Sequence, residues 1–233
     1  MSNWVETQTW KAIETALNTL RPEGVCIDVG IGEQDYYFEW FANMGYKTIA
    51  IDPVASEYIE LLCNQSKATL YKVALGMGSG VATLHYSHDA QIRSLSNVWG
   101  NDNAVEVMTI SLPELWAMIE EPPIAALKLD IEGVEPVIIQ QLQDMEKLPT
   151  VIAFEMGGVY PFRTGQGRWS ATAMIELTEA ICLLWDLGYT EAQMFVSGEK
   201  DYMFTLRSGD MPMIPDDAEW GNMVFLRGNN GDD

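Results

Sequence analysis

Hydrophobic and polar positions change their period repeatedly along the chain. Trp10, Ile13 and Leu17 recur at the spacing of one helix face within residues 4–20. The segments that follow are alternately short apolar runs, typical of strands buried on both faces, and stretches with helical spacing. The runs cover residues 25–29, 47–53, 68–75, 124–131 and 151–155, and the helical stretches cover residues 35–44, 55–66, 111–120, 135–147 and 170–187. This alternation predicts an α/β fold, with a mainly parallel sheet wound by helices on both faces.

The last third of the chain lacks this alternation. Short strand patterns near Phe195, at 202–206 and at 223–226 follow each other without long helices, which predicts antiparallel strands at one edge of the sheet. Two further short strands are expected at 81–86 and 105–110, and a glycine-rich loop at 157–169. Because no linker divides the chain, we expect one domain over residues 1–233. It would begin with a helix within 1–22 and end in a frayed tail at 228–233.

Charge and composition narrow the classes of partner. The formal net charge is −21 and the pI is about 4.2, so the clustered cations that bind nucleic acid or anionic membranes are not expected. No apolar run approaches the roughly 20 residues that span a bilayer, and Met1–Leu20 does not have the pattern of a secretory signal. The three cysteines form no C-x-x-C motif, and we expect free thiols. These features predict a soluble, cytoplasmic protein, and they indicate no particular oligomeric state.

Polar or conformationally permissive residues come at the carboxyl ends of all five predicted parallel strands. Asp28, Gly30 and Gly32 come with the first, Asp52 with the second, and Glu155 with the last. In an open wound sheet, ligands bind beyond the carboxyl ends of the strands. We therefore expect these residues to share one rim.

The first turn favours a nucleoside ligand without phosphates. Gly30 and Gly32 fit the start of a dinucleotide fingerprint, but Asp35 stands where the third glycine belongs and would repel a pyrophosphate. Asp52 follows Gly32 by about 20 residues, the separation at which a carboxylate accepts hydrogen bonds from ribose hydroxyls. An ordinary βα turn and a turn aspartate before Pro53 remain open as structural interpretations. The combination describes S-adenosylmethionine better than NAD.

A second cluster lies in the segment 127–135. Lys128, Asp130 and Glu132 would share one face if the strand continued. A lysine in a buried strand needs a partner, so the segment holds either an internal ion pair of structural value or a reacting carboxylate, Asp130, near the site.

These motifs together resemble the FkbM family of class I S-adenosylmethionine-dependent methyltransferases. The resemblance rests on Asp28-Val29-Gly30, Asp52-Pro53, Val73-Ala74-Leu75-Gly76, Leu127-Lys128-Leu129-Asp130-Ile131-Glu132-Gly133-Val134-Glu135 and Ile152-Ala153-Phe154-Glu155. It implies a Rossmann-like, doubly wound sheet of seven strands. It also implies cofactor contacts in three groups: Asp28, Gly30, Ile31 and Gly32 at the methionine part, Asp52 and Pro53 at the ribose, and Val73 and Ala74 at the adenine.

Many members of this family methylate hydroxyls, so the expected reaction is O-methylation of a small molecule or sugar. Such a reaction needs positioning and a base that removes the hydroxyl proton. We expect the catalytic residues to be Asp130, Glu132 and Lys128, with His85 and His88 as other candidate bases. The expected acceptor-binding residues are Glu155, Tyr160, Arg163 and His88.

Three alternatives stay open at this point. Asp130 and Glu155 could hold Mg²⁺, although no metal is the main expectation. An NAD-dependent oxidoreductase would share the wound sheet and Asp52. A methyltransferase-like domain that binds the cofactor without catalysis is the third.

Overall fold

The fold was obtained as a computed structural model that describes residues 4–32, 36–86, 93–96, 103–157, 163–164, 168–169, 171–215, 218 and 220–228. Its helices are α1 (Trp4–Leu20), α2 (Tyr37–Asn43), α3 (Glu57–Ser66), α4 (Leu112–Met118), α5 (Glu135–Gln140) and α6 (Ala171–Asp186), and a 3₁₀ turn at Gln141–Asp144 follows α5. None of the described helices is long and apolar enough to cross a bilayer.

The main sheet contains eight described strands. They are β1 (Val25–Val29), β2 (Lys47–Ile51), β3 (Thr69–Tyr71), β8 (Ile124–Leu129), β9 (Val151–Gly157), β12 (Tyr189–Ser197), β13 (Asp201–Arg207) and β14 (Trp220–Arg227). A smaller sheet contains β4 (Ala74–Leu75), β5 (Gly80–Tyr86), β6 (Arg93–Ser94) and β7 (Asn103–Ile110), and a separate pair contains β10 (Arg163–Thr164) and β11 (Arg168–Trp169).

The strand order places β1 at the centre of the parallel part of the main sheet. The order is β13-β12-β14-β9-β8-β1-β2-β3, with parallel pairing from β9 to β3 and antiparallel pairing from β13 to β9. From β1 the chain builds outward through β2 and β3, and later through β8 and β9 on the other side. The carboxyl end of β1 is thus the switch point at which open α/β sheets bind ligands.

Helices cover both faces of the main sheet, as the sequence predicts. On one face, Ile13 and Leu17 of α1 pack with Phe41 of α2 against strand residues such as Ala153. The opposite face carries α4, α5 and α6, through residues such as Leu115, Ile138 and Ile181. All five residues of β1 are buried, which explains why its sequence is almost entirely apolar.

Three sequence predictions about the sheet need correction. The main sheet has eight described strands rather than the seven that the resemblance implies, because all three antiparallel strands, β12 to β14, join the five parallel strands in one sheet. The single strand predicted over 68–75 is divided: Thr69–Tyr71 pairs with β2, and Ala74–Leu75 pairs with β7 in the smaller sheet. The segment 157–169, predicted as a loop, contains the antiparallel pair β10–β11.

The free cysteines differ in environment. Cys26 and Cys63 are buried, whereas Cys182 on α6 is exposed.

Candidate functional site

A cavity of about 270 Å³ opens at the carboxyl ends of the parallel strands. Every residue that the sequence assigned to cofactor binding lines this cavity: Asp28, Gly30, Ile31, Gly32, Asp52, Pro53, Val73 and Ala74. The residues assigned to catalysis line it as well, together with one of those assigned to the acceptor: Lys128, Asp130, Glu132 and Glu155.

The remaining acceptor-binding candidates are not placed at the cavity. His88 and Tyr160 lie outside the described residues, and Arg163 is described only as part of the short strand β10. His85 lies on β5 and is not among the residues that line the cavity.

Gly30 joins the ends of three strands. Its amide donates to the carbonyl of Ile51 at 2.9 Å, and the amide of Asp130 donates to the carbonyl of Val29 at 2.9 Å. The backbone of Gly30 has a φ of +79°, and a Cβ there would lie 1.7 Å from the carbonyl oxygen of Asp130. Only glycine lets the turn after β1 approach the end of β8 so closely.

Asp28 fixes the first helix after that turn. Its carboxylate accepts the amide of Phe38 at 2.9 Å, which supplies α2 with the cap that its own preceding residue, Tyr36, does not provide. Burial raises the pKa of Asp28 to about 7, with the bond from Phe38 opposing the shift. Asp28 thus caps α2 through its hydrogen bond with Phe38, and it also lines the cavity.

Asp52 is held in place by backbone amides and by an arginine. Its Oδ1 accepts the amide of Val54 at 2.8 Å and lies 3.6 Å from Nη1 of Arg93. Burial raises the pKa of Asp52, while the Val54 bond and the Arg93 charge act in the opposite direction. The carboxylate is therefore held in one orientation at the cavity wall.

Lys128 and Asp130 form an ion pair beneath the cavity. Lys128 is 1% exposed, its Nζ lies 3.2 Å from Oδ2 of Asp130, and the same ammonium lies 5.3 Å from the ring centre of Tyr37. Burial alone would lower the pKa of Lys128, but the surrounding carboxylates, Asp130 first, raise it above its ordinary value. Burial would likewise raise the pKa of Asp130, yet the Lys128 charge and the hydrogen bonds from Glu155 and Lys128 together outweigh it and lower that pKa.

The chain brings Glu132 toward Asp130 by a turn, not by continuing the strand. β8 ends at Leu129, and Glu132 has a φ of +57°, a strained value for a residue with a side chain. Glu135 holds this turn, because its two carboxyl oxygens accept the amides of Ile131 at 2.8 Å and Gly133 at 2.7 Å. The condition under which Lys128, Asp130 and Glu132 would share a strand face, a strand that continues past Leu129, is therefore not met, although all three line the cavity.

Three carboxyl groups meet at this end of the cavity. Ligand atoms of Asp130, Glu132 and Glu155 lie within 4.8 Å of one another. Burial, followed by repulsion from Asp130, raises the pKa of both Glu132 and Glu155 well above the ordinary value, and Glu155 shares a hydrogen bond with Asp130. Lys128 thus favours the ionised form of Asp130, whereas burial and the Asp130 charge disfavour the ionised form of both glutamates.

Several cavity residues were missed by the sequence analysis. Glu6 of α1 is buried, accepts a hydrogen bond from the hydroxyl of Tyr37, and accepts the Nδ2 of Asn222 at 2.7 Å. Its spacing offered a signal, because Glu6 lies four residues before Trp10 on the helix face predicted to be buried. The other lining residues missed include Tyr37, Arg93, Ser94 and Trp220.

The sequence matches a known family over most of its length. Residues 24–190 match the methyltransferase FkbM domain. No curated protein matches the chain. One solved structure, a S-adenosylmethionine-dependent methyltransferase from Thermotoga maritima described as a possible histamine N-methyltransferase, aligns with a TM-score of 0.40 and 9% identity, over 97% of this chain and 92% of that one.

Proposed function

The chain belongs to the FkbM family of methyltransferases, and from this premise we propose that it transfers the methyl group of S-adenosylmethionine to a hydroxyl group of a small molecule or sugar. The observation that carries the proposal is the cavity, which combines a glycine turn, an oriented carboxylate and an ionised aspartate at the ends of adjacent parallel strands.

The described residues fit the cofactor. Gly30 and Gly32 both have positive φ, and a Cβ on Gly32 would meet no atom of the described residues within 4 Å. Asp52 would accept the ribose hydroxyls, and the apolar side chains of Val73 and Ala74 would lie against the adenine. Asp28 would hold the cationic amino group of the methionine part. When bound, the cofactor supplies an electrophilic methyl group on a sulfonium.

Asp130 is the residue suited to remove the acceptor proton. Of the three clustered carboxyls it is the one that Lys128 keeps ionised, and a base must be unprotonated to act. Glu155 forms a hydrogen bond with Asp130 that orients its carboxylate, and Glu132 adds a second carboxyl group whose pKa burial raises. In their protonated form these two groups would donate hydrogen bonds to acceptor oxygens, which suits a substrate with several hydroxyls.

The assignment of Asp52 predicts a specific loss of cofactor affinity. We expect D52A to weaken binding of S-adenosylmethionine by about 1–3 kcal/mol, the cost of losing hydrogen bonds to a charged group. Isothermal titration calorimetry measures the change. D144A, which removes an exposed aspartate on the 3₁₀ turn, is the matched control and should bind as the wild type does. Unchanged affinity in D52A would refute the ribose assignment.

Methyl transfer should not depend on a divalent cation. The spacing of Asp130, Glu132 and Glu155 would admit one, but the Lys128 ammonium already balances Asp130, and burial disfavours the charged form of both glutamates. We therefore expect equal turnover before and after treatment with EDTA, measured as formation of S-adenosylhomocysteine. A loss of turnover that added Mg²⁺ restores would show that a metal acts in the reaction.

Titration with the two S-adenosyl ligands and with NAD⁺ tests the proposed function itself. The wild-type protein should bind S-adenosylmethionine and S-adenosylhomocysteine and should not bind NAD⁺. A panel of hydroxyl compounds, with polyols and sugars first, then tests for methylated product. Cofactor binding without transfer to any member of a broad panel would favour a binding domain over an enzyme.

A further inference from the structure

The smaller sheet forms the wall of the cavity at the side of Asp52. Ala74 and Leu75 of β4, Leu84 of β5, and Arg93 and Ser94 of β6 all line the cavity there. The wall has its own small core, in which Ala74, Leu84 and Val107 pack with Leu95. The sheet is thus anchored beside the two segments assigned to ribose and adenine.

Arg93 is held in a defined position on this wall. Its backbone pairs with Tyr86 of β5, and the amide of Ser96 donates to the hydroxyl of Ser94 at 3.0 Å, which closes the turn after β6. The side chain is 15% exposed, and Nη1 lies 3.6 Å from Oδ1 of Asp52. Burial against the wall and this ion pair aim the guanidinium at the site of the ribose acid.

The cavity therefore has a cation at each end. Among the described residues that line it, the cationic side chains are Arg93 and Lys128. Lys128 forms an ion pair with Asp130, so it lies at the end of the cavity where the three carboxyl groups meet. Arg93 serves the end where the nucleoside would lie.

We propose that Arg93 is a further cofactor-binding residue, which together with Asp52 recognises the adenosine part of the cofactor. This inference rests on the proposed function. A ribose diol presents both donors and acceptors, so a carboxylate and a guanidinium side by side complement it better than a carboxylate alone. The planar guanidinium can also lie against the adenine ring. Its position beside Asp52 holds that carboxylate in place as well.

The chemistry predicts how binding changes when Arg93 is replaced. R93M should weaken the binding of S-adenosylmethionine and of S-adenosylhomocysteine by the same factor, about tenfold to a hundredfold, because the two ligands share the adenosine part. R93K keeps the charge but not the planar fork, so its loss should be smaller. In the D52A background, R93M should cost less than it does in the wild type, because the two side chains act together.

Calorimetric titration of the full chain tests this inference. The probes are S-adenosylmethionine, S-adenosylhomocysteine, NAD⁺ and NADP⁺, each with wild type, R93M, R93K, D52A, R93M/D52A and R207M. Arg207 is an exposed residue of β13, so R207M controls for loss of a surface charge from this acidic chain. A thermal melt of each variant confirms that it is folded, and R93K provides the comparison if R93M does not fold.

The outcomes separate this inference from the function on which it rests. Equal weakening of both S-adenosyl ligands in R93M, with R207M unchanged, supports it. If R93M binds both within twofold of wild type while D52A binds weakly, the role of Arg93 is overturned and the proposed function stands. If R93M weakens the binding of S-adenosylmethionine but not of S-adenosylhomocysteine, Arg93 interacts with the sulfonium part of the cofactor and the inference also fails. If wild type binds neither S-adenosyl ligand, or binds NADP⁺ in an Arg93-dependent way, the proposed function fails.

Discussion

Replacing Lys128 by methionine is expected to lower the free energy of unfolding by about 3 kcal/mol at neutral pH. Lys128 is 1% exposed and its ammonium is the charge that Asp130, at 3.2 Å, is paired with. Methionine keeps the length and the apolar volume of the side chain, so the loss is electrostatic. The value lies at the lower end for a broken buried pair, because the Asp130 side chain is 30% exposed and water in the cavity still solvates it.

The size of this loss should depend on pH. In the wild type the pKa of Asp130 is lowered on folding, so its contribution to stability is present above the unfolded pKa and is lost as pH falls through the folded one. In K128M the burial of Asp130 would instead raise that pKa, and the folded state would take up a proton. The difference between the two proteins should therefore shrink as the pH falls from 8 to 5.

Urea unfolding followed by circular dichroism, at both pH values, measures these changes. K11M is the matched control, because Lys11 lies exposed on α1 and its replacement should change stability by less than about 0.5 kcal/mol. A K128M protein as stable as wild type at pH 8 would show that the ion pair contributes nothing to the fold.

Replacing Asp130 by asparagine is expected to reduce kcat by about 10²–10⁴-fold, the range that general-base catalysis contributes. Asparagine retains the shape of the side chain but cannot accept a proton. The effect should fall on kcat and leave the affinity for S-adenosylhomocysteine within a few-fold, because Asp52 and the glycine turn contact that ligand in the proposed complex.

Glu155 provides the matched control for this variant. It directly follows the part of β9 that pairs with β8, and burial and the Asp130 charge favour its neutral form, so E155Q preserves its shape and that neutral form. We expect E155Q to retain most of the activity. Rates are measured as S-adenosylhomocysteine formed with the best acceptor of the panel, and a thermal melt accompanies each variant. If E155Q were as inactive as D130N, or if D130N kept full activity, Asp130 would not be the base.

The positions of the cofactor-binding candidates were accessible from the sequence for a simple reason. Parallel strands end at one rim, so residues that directly follow strands must converge there whatever the rest of the chain does. Asp28, Asp52 and Asp130 each follow or end a buried apolar run, and all three line one cavity. The role of Glu135, the last glutamate of the segment 128–135, became evident only from the structure. Its carboxylate holds the turn that carries Glu132.

Residues that reach the cavity from distant segments were not accessible in this way. Glu6 arrives on the first helix and meets Asn222, which lies more than 200 residues later in the chain. Arg93 arrives on a two-residue strand of the smaller sheet. No local sequence pattern predicts these contacts. They depend on how α1 packs across the sheet and on how β4, which follows β3 in the chain, pairs in a different sheet.

The sequence by itself determined the α/β class, the polar residues at the carboxyl ends of the parallel strands, and the family. These follow from hydrophobic periodicity and from local motifs. The tertiary structure alone decided which strands pair in the main sheet, that residues 69–75 are divided between two sheets, and which carboxyl group of the cluster is paired with Lys128. Sheet membership is fixed by pairing between strands far apart in the chain. A carboxyl's charge is fixed by burial and by the distance to Lys128, and neither quantity exists until the chain has folded.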